Sequence, residues 1–153
     1  LARAGYAPQA KAAPQKSAQS PSQPHRFVSS DGYVILAGKN NRQNDLLTMK
    51  TAEPDDIWLH TKDISGAHVL ITGAKGHAPE ATLLEAASIA AYLSRAKNGG
   101  KVAVDYALRK NVRKPNGARP GMVVYENYQT ILVSPGKETF ERLITNKKPL
   151  GDG

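Results

Sequence analysis

The stretch that most constrains the fold is residues 80–98, EATLLEAASIAAYLSRAKN, the clearest helical pattern in the chain. Pro79 stands in its first turn, Glu80 and Glu85 lie near the positive end of the helix dipole, and Arg95 and Lys97 lie near the negative end. Asn98, Gly99 and Gly100 close it. Leu83, Ala87, Ala90 and Leu93 recur at helical spacing, with Ala86 and Ala91 beside them. A stripe of such small side chains lets a helix lie close against a sheet.

RFVSSDGYVILAG, residues 26–38, places two apolar runs around Asp31-Gly32, a hairpin signal because glycine accepts the positive φ of a tight turn. Residues 41–52 are read as a short helix, capped by asparagine, that buries Leu46, Leu47 and Met49 before Pro54 stops it. Ile57–Leu59 and Val69–Ile71 form strands about a turn at 64–66, and 101–107 forms another. MVVYEN and QTILVS are expected to pair, with a last short helix over 137–143. Hairpins on both sides of one long helix predict an α+β fold: a mixed, mostly antiparallel sheet packed against that helix and one or two short ones.

Residues 7–25 contain no large apolar side chain, so ordering them buries too little surface to offset the entropy lost. The expected organisation is a flexible linker over 1–25, one domain over 26–145 and a flexible tail over 146–153. LARAGYAPQ has neither an initiator methionine nor a signal core, which suggests a piece of a longer chain. With no cysteine, a disulfide scaffold, a thiolate zinc site and a cysteine nucleophile are excluded. No apolar run approaches the roughly 20 residues of a membrane-spanning helix.

Formal charge is +8, and the excess is concentrated. From Arg95 to Arg119 there are eight Lys or Arg side chains against Asp105 alone. Such a segment suits a polyanion, chiefly nucleic acid or an anionic lipid surface; a merely solvated face is the plain alternative.

DIWLHTKDISGAHVLI, residues 56–71, crowds polar groups between apolar ones. His60, Asp63 and His68 fit no standard metal spacing. Ser65 and His68 lack the glycine elbow of a serine hydrolase, and a nuclease reading of Asp55, Asp56 and Asp63 needs carboxylates that only the fold can pair. No cofactor is expected. Anion binding fits better: Gly38 permits close backbone approach, Lys39 and Arg42 supply charge, and Asn40, Asn41 and Asn44 offer donors, although they serve equally well as helix caps. Tyr106, Tyr125 and Tyr128 are candidates to stack on bases or to pack in strands.

GKNNRQND, DIWLHTKDISGAHVLI, TLLEAASIAAYLS, KVAVDYALRKNVRKPNGARPGMVVYEN and QTILVSPG, in that order over residues 26–135, together resemble the NFACT-R domain. This is the C-terminal RNA-binding module of the NFACT proteins, whose bacterial branch, RqcH, was long labelled fibronectin-binding protein A. Thr61, Ser65 and Ala67 stand where that family often shows Ala, Pro and Ser. The resemblance implies a cytoplasmic ribosome quality-control factor, not an enzyme, with residues 1–25 following a coiled coil absent from this chain. Implied partners are tRNA, the rRNA of the large subunit in support of alanine tailing, and other domains of the same protein. Fibronectin is a further candidate, and a metal-dependent RNA-processing enzyme is another alternative. The RNA-facing candidates are Lys39, Asn40, Asn41, Arg42, Asn44, His60, Lys62, His68, Arg109, Lys110, Arg113, Lys114 and Arg119. Asp63 is expected to brace its turn and Lys62 to be exposed.

Overall fold

A computed structural model describes residues 23–146; most of the linker expected over 1–25 and of the tail expected over 146–153 lies outside them. A six-stranded sheet runs in the order β1 (His25–Val28), β2 (Val34–Ala37), β4 (Val69–Ile71), β3 (Ile57–Thr61), β5 (Val102–Leu108) and β8 (Gln129–Val133). Every neighbouring pair is antiparallel. The α+β reading therefore holds.

Side chains of a strand alternate between faces, and here both faces are covered. Ile35, Ile57, Leu59, Val69 and Ile71 point to one side, where α2 (Glu80–Tyr92) lays Ala86, Ala87, Ile89 and Ala90 against them. The alanines permit the close approach expected of a small-residue stripe. Leu36, Trp58 and Leu70 point to the other side and meet Leu47, Val112 and Tyr125. That second layer is α1 (Asn41–Leu46), a π-helical turn over Leu47–Thr51, and the chain from Arg109 to Tyr125. Two buried faces explain why β3 and β4 read as nearly continuous apolar runs.

The hairpin forms where Asp31-Gly32 predicts, with Gly32 at φ +88. The last helix, α3, spans Lys137–Leu143 as expected. Three expectations are corrected. Leu46 is 52% exposed, because Asn44, Leu47 and Thr48, at helical spacing, take the inward face. Helix α2 stops at Tyr92, not near Asn98, since Ser94 turns away to bridge Gly66 and its hydroxyl donates to the Ala91 carbonyl at 2.8 Å. MVVYEN does not pair with QTILVS: β7 (Val124–Tyr125) pairs with β6 (Val112–Arg113) in a separate ribbon, while β8 joins β5. Asn127, at φ +54, redirects the chain between them.

Candidate nucleic-acid interface

The crowded polar stretch resolves first into a buried hydrogen-bonded chain. The Trp58 Nε1–H donates to Thr48 Oγ1 at 3.1 Å, and Thr48 Oγ1 lies 2.8 Å from His68 Nδ1. His68 Nε2 is 3.0 Å from the Gly121 carbonyl, which can only accept. The proton therefore sits on Nε2, and Thr48 donates to Nδ1. Burial, and then the neighbouring His60 ring, push the His68 pKa down to about 4. Neutral and with both ring nitrogens in use, His68 has none to offer a metal; among the described residues no group of three His, Cys, Asp or Glu could hold one.

A second network orients the asparagines. Asn40 Oδ1 caps α1 by accepting from Gln43 N at 2.9 Å. Asn44 Oδ1 accepts the His68 N–H at 3.0 Å, which leaves its amide N to face Asn41 Oδ1 at 3.5 Å. Gly38 is required not by a ligand but by this arrangement: a Cβ there would collide with Asn44 Oδ1.

The cations then divide into two groups. Arg109 donates from Nε to the Thr48 carbonyl and from a terminal nitrogen to Val112 O at 2.9 Å. Lys114 reaches Arg119 O at 2.7 Å, Met122 O at 3.0 Å and Asp45 at 3.3 Å, so it staples its own loop. Lys110 pairs with Asp55 at 3.2 Å. Lys62, expected to be exposed, is half-buried, pairs with Asp105 at 3.3 Å and sits 4.7 Å from the Tyr128 ring centre. Asp63, expected to brace, is exposed at φ +56; the bracing carboxylate is Asp105, buried on β5 beneath Lys62, Thr130 and Tyr125. Burial and the bond to Asp105 push the Tyr125 phenol well above its ordinary pKa.

Lys39, Arg42, Arg95, Arg113 and Arg119 are exposed and make no ion pair among the described residues. Two depressions gather three of these cations. An open groove of about 920 Å³ has Trp58, His60 and His68 in its lining, with Arg95, Arg119 and Asn41 around them and Asp63 as its one carboxylate among the described residues. A smaller pocket of about 230 Å³ adjoins it, lined among others by His25, Lys39, Asn40 and Leu93, and the two share Asn41, Ser65 and Gly66. His60 is half-buried and stacked on Trp58, with ring centres 5.8 Å apart and 8° between planes; burial lowers its pKa. Arg113 and Arg42 line neither depression. Arg95, Ser65 and Gly66 are not among the RNA-facing candidates read from the sequence, where the only signals for them are the charge of Arg95 and the turn at 64–66.

Fold and groove define a class: a small α+β domain with a cationic, donor-lined cleft over one sheet face, suited to a polyanion. The chain belongs to the family described as NFACT protein RNA binding domain, which it matches over residues 23–127. The Bacillus subtilis protein named Rqc2 homolog RqcH is 47% identical over 134 residues, covering 84% of this chain and 23% of that protein. The human ribosome quality control complex subunit NEMF is 35% identical over 72 residues, 46% of this chain and 7% of its own length. A solved structure, the C-terminal part of the fibronectin/fibrinogen-binding protein from Streptococcus suis, superposes with a TM-score of 0.79 at 38% identity, covering 83% of this chain and 51% of that one. The chain thus spans about a quarter of the length of the bacterial relatives it matches. No helix among the described residues is long and apolar enough to cross a membrane.

Proposed function

We propose that this domain grips tRNA or the rRNA of a large ribosomal subunit on behalf of a cytoplasmic quality-control factor that supports alanine tailing of stalled chains. In this reading it is a binding module, not an enzyme. The observation that carries it is the convergence of Lys39, Arg95 and Arg119, none of them ion-paired among the described residues, on adjoining depressions lined by amide donors, while Arg109 and Lys114 are committed within the domain and Lys110 forms only an exposed surface pair with Asp55. Arg42 and Arg113 extend the charge outside the groove. His68, Asn44, Arg109 and Lys114 support the surface from beneath.

Each neutralised phosphate releases counterions, so affinity for tRNA or subunits falls steeply with salt. Arg95→Glu with Arg119→Glu lowers that affinity and flattens the salt dependence by about one unit of slope per lost contact. Unchanged affinity and slope in the double variant would remove the groove from the reading. The fibronectin/fibrinogen-binding name of the Streptococcus suis relative motivates a second reading, a fibronectin-binding surface. Its support would be fibronectin capture by RNA-free protein in high salt.

A further inference from the structure

The smaller pocket differs from the groove beside it in ways that bear on which form of RNA fits. Its volume, about 230 Å³, is below the roughly 300–1,000 Å³ of sites that take drug-sized ligands, a scale suited to one planar ring system. Its polar wall combines Lys39 and Ser65 with asparagine amides that hydrogen bonds within the protein orient. Asn40 Oδ1 is held by Gln43 N, so its amide NH₂ is left over. The His68 N–H fixes Asn44, Asn44 faces Asn41 Oδ1, and the Asn41 NH₂ is left over as well. Leu93 and Ala67 supply apolar surface. The His25 ring, also in the lining, is held edge-on to Phe140 with ring centres 5.2 Å apart.

Exposed Lys39 lines the pocket and can meet a phosphate in solvent, but one buried against Leu93 and Ala67 would lose its hydration, since burying charge beside apolar groups is costly. A base has both an apolar face and an acceptor edge, and RNA modules take unpaired bases by stacking them and bonding their edges. A paired base has its Watson–Crick edge occupied and cannot leave its helix without unstacking. Resting on the RNA-binding reading above, we propose that this pocket takes the base of an unpaired nucleotide. Its carbonyl edge meets the Asn40 and Asn41 amides, while neighbouring phosphates pass Arg95 and Arg119 in the groove.

The test uses fluorescence anisotropy of the full chain with labelled RNAs of about twelve nucleotides, of the order a small domain covers: oligouridine, oligoadenosine and a duplex. Oligouridine binds tightest, by about tenfold over oligoadenosine, the scale of one good amide–base pairing. Asn40→Ser keeps a capping oxygen and loses the amide donors, so it abolishes that preference. Ser65→Tyr, at an exposed position on the shared wall, plugs the mouth and lowers oligouridine affinity about tenfold. Salt-sensitive binding of all three RNAs with equal affinity, indifferent to Asn40→Ser and Ser65→Tyr, overturns the pocket assignment and leaves the RNA reading standing. Failure to bind any of these RNAs, tRNA or subunits overturns both.

Discussion

His68 donates from Nε2 to the carbonyl of Gly121 at 3.0 Å, tying the residue that leads into β4 to the basic loop. The same bridge continues through Thr48 to Trp58, so the wall of the groove hangs on one buried hydroxyl. Thr48→Val keeps the shape and removes that hydroxyl, leaving a tryptophan N–H and a histidine nitrogen buried without partners. Two such orphaned groups cost about 2–6 kcal/mol. Urea unfolding measures it, and a loss below that of an ordinary surface substitution would show the chain to be decorative.

The depressed pKa of His68 has a definite consequence for acid stability. Above the ordinary value of 6.5 the ring is neutral folded and unfolded, and its titration leaves stability unchanged. Between 6.5 and about 4 the unfolded state takes up a proton that the folded state refuses, so stability falls as pH falls. The total is roughly 3 kcal/mol at the lower limit, at 1.36 kcal/mol per unit. His60 and His25, also lowered by burial, act in the same direction. Unfolding free energies measured from pH 7 to 4.5 slope downward in the native protein and less steeply in His68→Gln. Parallel slopes would place the proton uptake elsewhere.

Gly38→Ala puts a methyl group onto the Asn44 side chain and 3.0 Å from its backbone nitrogen. Asn44 is buried and holds the His68 N–H, so it cannot swing away without breaking that bond. Overpacking of this kind costs about 1–3 kcal/mol. A melting temperature equal to that of the native protein would mean the pocket wall is soft enough to yield.

Local signals in the sequence suffice where the structure depends on neighbours in the chain. Asp31-Gly32 marks its hairpin, the run at 69–71 marks β4, and the spacing from Leu83 to Ala90 marks the face that α2 buries. They fall short where partners are remote. Nothing near Lys114 indicates that Asp45 and two carbonyls will claim its ammonium, and nothing near Lys62 points to Asp105. Charge and motif group the thirteen RNA-facing candidates, yet the fold alone decides which charges are already spoken for. His68 shows the same limit: its polarity is legible, but the three groups that use it come from a π-helical turn, a helix side chain and a loop. The strand partner of Val124–Tyr125 escapes a sequence reading because two adjacent apolar runs look like a hairpin unless the bend at Asn127 is known.

Lys114 gives the sharpest test of the proposed division between cations that face RNA and cations that hold the protein. Its ammonium bonds Arg119 O and Met122 O and pairs with Asp45, whose Oδ1 also accepts from Gly121 N at 3.0 Å. Lys114→Met keeps the aliphatic stem and deletes all three contacts, leaving the segment that carries Arg119 held mainly by His68 and Asp45. Hydrogen bonds to a charged donor each contribute about 1.5–3 kcal/mol when well buried; partial exposure brings the total for this site to about 1–2 kcal/mol. Amide exchange across 114–122 should quicken while β3 and β5 stay protected, since local opening follows the loss of local contacts. RNA affinity falls modestly through the loosened loop, but its salt slope stays as in the native protein because no phosphate contact has been deleted. Were the slope to fall by about one unit instead, Lys114 would have left its staple to meet a phosphate, and the division between structural and RNA-facing cations would have to be redrawn.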